Sequence, residues 1–89
     1  MIIVINDDET YLHWIANNPE GFVLNCYRNM SPEYLVLHRA TCGTIGSTAR
    51  ENWTTHQYVK ACSNDRAELL NWAEKDIGRE LTECSLCKP

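Results

Sequence analysis

Four residues in this chain have the types and spacing to hold a metal ion. His38 and Cys42 stand near the middle, in the run His38-Arg39-Ala40-Thr41-Cys42, and Cys84 and Cys87 stand near the end, in Cys84-Ser85-Leu86-Cys87. Zinc takes deprotonated thiols and neutral imidazoles in a tetrahedron. Two cysteines separated by two residues can both reach one ion from a tight turn. The partner pair comes from a distant segment, and His38 with Cys42 supplies it, with Gly43 available to relax the bend. The expectation is one Zn2+ held by His38, Cys42, Cys84 and Cys87. Four protein ligands leave no open position, so such a zinc would be structural and not catalytic.

The remaining cysteines read differently. Cys26 alternates with Phe22 and Leu24, so it reads as core. Cys62 closes a strand with apolar neighbours and reads as a semi-buried thiol, or as a substitute for one of the four ligands. His13 and His56 read as surface residues. A redox Cys-x-x-Cys follows a strand and opens a helix, whereas Cys84 to Cys87 follows a helix. A Cys42 nucleophile with His38 as base would compete with the metal for the same two residues. No phosphate-cradling glycine loop and no His-Glu-x-x-His motif is present. The chain is therefore expected not to be an enzyme.

Elements must bring these residues together. Residues 1–89 read as one domain. A chain this short buries only about 60–65% of its unfolded surface, which makes added staples valuable. Ile2 to Ile5 reads as a strand. Asn6, with Glu9 three residues on, reads as the cap of a first helix whose apolar face is Leu12, Ile15 and Ala16, flanked by Tyr11 and ended by Asn17 to Gly21. Phe22 to Tyr27 and Tyr34 to His38 read as a hairpin. Ala40 to Asn52 reads as a loop with a short helical turn near Thr48 to Glu51. Strand character returns from Trp53 to Ser63 and is clearest from His56 to Cys62. Asp65 and Glu68 have capping-box spacing at the start of the second helix, which Gly78 ends. The fold class that follows is α+β, a mostly antiparallel sheet of about four strands with two helices and a zinc-clasped C-terminus.

Charge bounds the partners. Residues 1–20 carry four acidic groups and no Lys or Arg, residues 21–60 carry four basic groups against two acidic, and residues 61–89 carry four basic against six acidic. The net charge of −4 argues against a sequence-independent polyanion binder. The middle third could still present a small positive face with aromatic groups, and Arg39, Trp53, Tyr58 and Lys60 are its candidate nucleic-acid-binding residues. Rings there would stack on the bases of DNA or RNA, and cations would meet phosphate. The opposing reading places these groups at ordinary solvated strand positions, with Trp53 in the core. No stretch suits a membrane span. Met1 to Ile5 lacks the basic start of an export signal, so a reducing cytoplasm is the expected compartment.

The run Tyr34 to Ile45 resembles a motif of small bacterial zinc-binding domains. So does Tyr58 to Ser63, followed by Leu69-Leu70-Asn71-Trp72-Ala73 and then by Cys84-x2-Cys87. The resemblance covers the chain from about Phe22 onward. Such domains occur alone or beside restriction-type nuclease domains. It implies a non-catalytic, nucleic-acid-associated accessory module with the same four ligands. A protein–protein interaction module contacting through acidic helices is the alternative.

Overall fold

In a computed structural model of the protein, residues 1–46 and 52–89 are described. The expected helical turn at Thr48 to Glu51 lies outside them. The architecture is α+β. Strand β1 (Ile2–Val4) leads into helix α1 (Asp8–Asn17). Strands β2 (Phe22–Tyr27), β3 (Leu35–Arg39) and β4 (Tyr58–Ser63) follow, and then helix α2 (Arg66–Trp72). A π-helical turn, Ala73–Ile77, prolongs α2, and a two-residue strand β5 (Thr82–Glu83) precedes the final cysteines. Among the described residues the sheet therefore has five strands, in the order β1-β4-β2-β3-β5, one more than the sequence suggests. The added strand, β5, pairs parallel to β3 with Val36 opposite Thr82 and Leu37 opposite Glu83. Two exposed polar residues carry no hydrophobic alternation, so nothing local announces β5.

Pairing within the sheet dictates where the helices go. Strands β1 and β2 run one way, and β4, β3 and β5 run the other. Both crossovers, β1-α1-β2 and β4-α2-β5, advance toward the β5 edge. Crossovers of the same hand on oppositely directed strands must lie on opposite faces. Two separate cores result. One gathers Val4, Tyr11, Val23, Ala40, Cys42, Ile45, Trp53, Cys62 and Cys84, with Trp14 and Ile15 of α1 packed against them. The other gathers Leu24, Cys26, Leu35, Leu37, Val59 and Ala61 beneath Leu69, Ala73 and Ile77. Alternate residues of each central strand serve opposite cores, so residues 23–26 of β2 are all buried. Cys26 and Cys62 are both fully buried core thiols, and burial pushes each up to about 12.

Local chemistry sets the ends of the helices. Helix α1 is capped by Asp7 and not by Asn6. The Asp7 carboxylate accepts from Thr10 N at 3.0 Å and from the Thr10 hydroxyl at 2.7 Å. Asn6 sits at φ 55 in the linker before it. The buried stripe of α1 is Tyr11, Trp14 and Ile15, one residue removed from the expected Leu12, Ile15 and Ala16. Leu12 is left 38% exposed. Tyr11 wins the inward position because its hydroxyl reaches Ile45 O across the core. Asp65 caps α2 by accepting from Ala67 N at 3.0 Å. The reciprocal half of that box is supplied by Ser63, whose hydroxyl accepts from Asp65 N, because the Glu68 carboxylate instead accepts from the Ser63 hydroxyl. Gly78, at φ 90, ends the π-helical turn with its N–H on Ala73 O.

Candidate metal centre

The metal site is assembled where β3, the loop after it and the C-terminal turn meet. His38 lies on the α1 face of β3, one register step beyond Val36. Cys42 follows on a turn in which Cys42 N donates to Arg39 O and Ile45 N to Cys42 O. Gly43 is not needed there, since the space around its Cα is open and its φ is not left-handed. Strand β5 carries Cys84 to the site, and Cys84 N donates to Leu37 O at 2.9 Å. The turn to Cys87 is closed by Lys88 N donating to Cys84 O. Without β5 the C-terminal pair would have no register against β3.

The four candidate ligand atoms all lie within 4.8 Å of one another. Around an ion with metal–sulfur bonds of about 2.3 Å, tetrahedral neighbours stand about 3.8 Å apart, so the cluster has the right size. His38 is 5% exposed, and its Nε2 has no hydrogen-bond partner. A buried polar atom without a partner costs about 1–3 kcal/mol, and a metal ion would remove that cost. The Thr44 hydroxyl lies 3.4 Å from the other ring nitrogen, Nδ1, and 3.0 Å from Cys42 Sγ. It supports both ligands from one side chain, and no motif flagged it in the sequence. These residues fit a metal ion.

Electrostatics agrees with a site built for a cation. Burial, aided by the charge on Lys60, holds His38 down at about 4, so the imidazole is neutral at pH 7 as a ligand must be. The amide of Cys87, opposed by burial and assisted by the amide of Leu86, draws the Cys84 thiol below its usual value. Burial pushes Cys87 up to about 11, and the neighbouring thiols add to this against the amide of Arg39. Three thiols crowded together resist losing three protons, and a doubly charged ion reverses that balance.

Arg39 belongs to this centre. Its backbone N donates to Cys87 Sγ at 3.3 Å. Its guanidinium donates from Nε to Cys87 O and from Nη2 to Lys88 O, both at 2.9 Å. The fork therefore braces the C-terminal turn, and these donors are not aimed at solvent. The expected recognition face built on Arg39, Trp53, Tyr58 and Lys60 is redistributed in other ways too. Trp53 is buried in the α1-side core. Lys60 is 2% exposed, with Nζ donating to Trp53 O at 2.6 Å. Its Nζ also lies 5.6 Å and 5.5 Å from the ring centroids of Tyr11 and Tyr58. Burial draws this amine down to about 8, against the pull of Cys26, Asp8 and Cys62. Tyr58 stays half exposed, and Arg39 stays exposed beside its carbonyl partners. Strand parity correctly places Lys60 and Tyr58 on one face, but it cannot show that residues 40–46 and 53–54 cover Lys60.

Two further features were not anticipated from the sequence. Tyr27 stacks on Tyr34 at 5.0 Å and on Tyr58 at 5.7 Å, and Tyr34 lies 5.4 Å from Tyr58, so the three rings form a half-buried triangle at the ends of β2 and β4 and just before β3. Its signal in the sequence is that Tyr27 pairs with Tyr58 when Asn25 pairs with Lys60. Asp8, at the start of α1, holds the covering segment. Its carboxylate accepts from Trp53 N, Thr54 N and the Thr54 hydroxyl. Burial pushes this carboxyl up, but the Thr54 hydroxyl and the Thr54, Trp53 and Asn52 amides outweigh it, leaving the group below its usual range.

No family model, no curated protein and no solved structure matches this chain. No helix among the described residues is long and apolar enough to cross a membrane.

Proposed function

We propose that this protein is a non-catalytic recognition module, folded around a structural zinc, that binds single-stranded nucleic acid or presents a nuclease to it. A three-thiol, one-imidazole tetrahedron suits zinc among the common ions, and four protein ligands leave it no position for substrate. The observation that carries the recognition reading is the half-buried cluster of Tyr34, Tyr27 and Tyr58 at the end of the sheet. Base–aromatic stacking is worth about 1–3 kcal/mol per base and needs no particular sequence. The resemblance of Tyr34 to Ile45 and of Cys84-x2-Cys87 to zinc-binding domains found beside nucleases points the same way.

The engaged cations shape this proposal. Arg28 donates to His56 O and Thr54 O, Arg39 to Cys87 O and Lys88 O, Lys60 to Trp53 O, Arg66 to Glu83, and Arg79 to Pro32 O, Glu80 O and Thr82. Among the described residues few cations remain for phosphate, so binding should be led by stacking. Each phosphate neutralised on a single strand contributes about 0.7 to the slope of log K against log salt, and a slope below about 2 is expected here. The test is a titration of labelled single- and double-stranded oligonucleotides at several salt concentrations. Preference for single strands, a shallow slope and about tenfold weaker binding by Tyr34→Leu are expected. No binding at low salt would overturn the proposal.

One observation favours a second reading as a protein-interaction module. Strand β1 is an open sheet edge, and Met1, Ile2, Ile3 and Ile5 are 39–46% exposed along it. An uncharged apolar edge offers a partner a place to add a strand.

A further inference from the structure

The five cysteines fall into two groups. Cys26 and Cys62 are fully buried, one in each core, and burial pushes both thiols up to about 12. A thiol held protonated in an apolar core is a poor nucleophile, so these two are inert. Cys42, Cys84 and Cys87 stand together, with their sulfurs and a ring nitrogen of His38 all within 4.8 Å of one another. Within this trio Cys42 and Cys84 are buried, and Cys87 is half-buried. Solvent therefore meets the trio at Cys87, on a turn whose other members, Ser85 and Leu86, are exposed.

Connectivity separates the two candidate partners of Cys87. Cys84 shares its turn, and Lys88 N closes that turn on Cys84 O. The turn is held to β3 from outside, by Cys84 N on Leu37 O and by the Arg39 fork on Cys87 O and Lys88 O. Drawing the sulfurs of Cys84 and Cys87 into a bond of about 2.0 Å needs rotation within this one turn. Cys42 lies on a separate segment. There the Thr44 hydroxyl stands 3.0 Å from its sulfur, and Ile45 N donates to its carbonyl. Joining Cys87 to Cys42 would require two anchored segments to close on each other.

We infer that Cys84 and Cys87 are the reactive pair of a peroxide-sensitive clasp, whose oxidation to a disulfide opens the metal centre. It rests on the reading of a metal held by His38, Cys42, Cys84 and Cys87, and it is independent of what the tyrosine cluster binds. Oxidation-sensing cysteines are solvent-accessible and stand next to a resolving cysteine, and Cys87 beside Cys84 has both properties. First, the Cys87 thiolate attacks one oxygen of hydrogen peroxide. The O–O bond breaks, hydroxide leaves, and Cys87 becomes a sulfenic acid. The Cys84 thiolate then attacks the Cys87 sulfur and displaces a second hydroxide. Two thiolates give up two electrons, and peroxide takes both as it becomes two hydroxides. The bridge leaves only His38 and Cys42 as donors, too few for a closed tetrahedral site. Residues 82–88 then lose the tie to His38 and Cys42 that a shared ion supplies. A dithiol reductant restores the two thiolates, which makes the clasp reversible.

The test uses the full chain loaded with zinc. Native mass spectrometry is run before and after hydrogen peroxide is added, and a chromogenic chelator catches released metal. Each chain is expected to lose its ion together with two titratable thiols, leaving three of the five. Peptide mapping should place the bridge between Cys84 and Cys87, and dithiothreitol with added zinc should restore both thiols and metal. Cys26→Ala, which lies outside the trio, should release metal as the wild type does. Cys87→Ser should slow release by about tenfold, because the accessible thiolate is gone. If that variant fails to hold metal or to fold, the wild-type mapping decides. Metal retained in excess peroxide would overturn the inference and keep the metal reading. A bridge to Cys42, or sulfinic acid in place of a bridge, would overturn it as well. A chain that takes up no zinc before peroxide is added would overturn both.

Discussion

Replacing Cys84 with serine should remove the metal and divide the domain along its two cores. The α1-side core contains Cys42 and Cys84, whereas the α2-side core contains none of the four ligands. At about 0.05–0.15 kcal/mol per residue, 89 residues have roughly 4–13 kcal/mol of stability in all. An ion present at a thousand times its Kd contributes about 4.1 kcal/mol, a third of that stability or more. At this size each kcal/mol moves Tm by about 4–8 °C, so Cys84→Ser or exhaustive chelation should lower Tm by about 15–30 °C. Amide exchange should show where the loss falls. Protection should vanish for residues 40–46 and 82–88 and persist at Leu24, Val59 and Ala61 beneath α2. The control is Cys26→Ala, which removes a buried thiol from the metal-free core and should keep one metal per chain by native mass spectrometry. An unchanged Tm after chelation, or equal metal loss from both variants, would refute the reasoning.

Other perturbations separate the supports of the site. Arg39→Ala and Arg39→Lys should both speed metal loss to a chromogenic chelator by about tenfold, because lysine cannot form the two-carbonyl fork; a lysine variant indistinguishable from wild type would remove Arg39 from the centre. Asp8→Asn should cost about 1–2 kcal/mol at pH 7 in denaturant unfolding, since it replaces charge-assisted hydrogen bonds to Trp53 N and Thr54 with neutral ones. Because the folded Asp8 carboxyl lies below its usual value of 3.8, its contribution is complete above that value and disappears as pH falls through the folded one, so the variant and wild type should converge in acid. Gly21→Ala should destabilise the domain by about 1–3 kcal/mol, because the new methyl would stand 2.6 Å from the Trp14 ring and 3.1 Å from Asn18 O; Gly43→Ala, in open space, should be neutral in the same thermal melts.

What the sequence revealed and what it concealed have a common physical basis. Ligand identity and spacing survive as short-range patterns, so His38, Cys42, Cys84 and Cys87 were readable before any element was placed. Strand periodicity was equally readable in Phe22 to Tyr27, because period 2 leaves a signature in any half-apolar strand. Strand β5 left none, since its pairing is set by where the turn at Cys84 must dock. The inward face of α1 was misjudged because apolarity favoured Leu12 over Tyr11, whereas the fold rewards a ring that fills space and a hydroxyl that reaches Ile45 O. The expected basic face loses Trp53 and Lys60 to the interior for a related reason. Alternation says which residues share a face, but not whether a distant segment covers that face.

That covering segment links the candidate metal site to the rest of the α1-side core. Cys42 is one of the four candidate ligands, Thr44 lies against both Cys42 and His38, and Ile45 O accepts from the Tyr11 hydroxyl. The far side of the same cover is pinned by Asp8 through Trp53 and Thr54. An ion held by the four residues would therefore fix one end of the cover, and the N-terminus of α1 fixes the other. Chelation should free Thr44 and Ile45 before Asn25, Tyr58 and Lys60 are disturbed, because those residues rest on the pairing of β2 with β4.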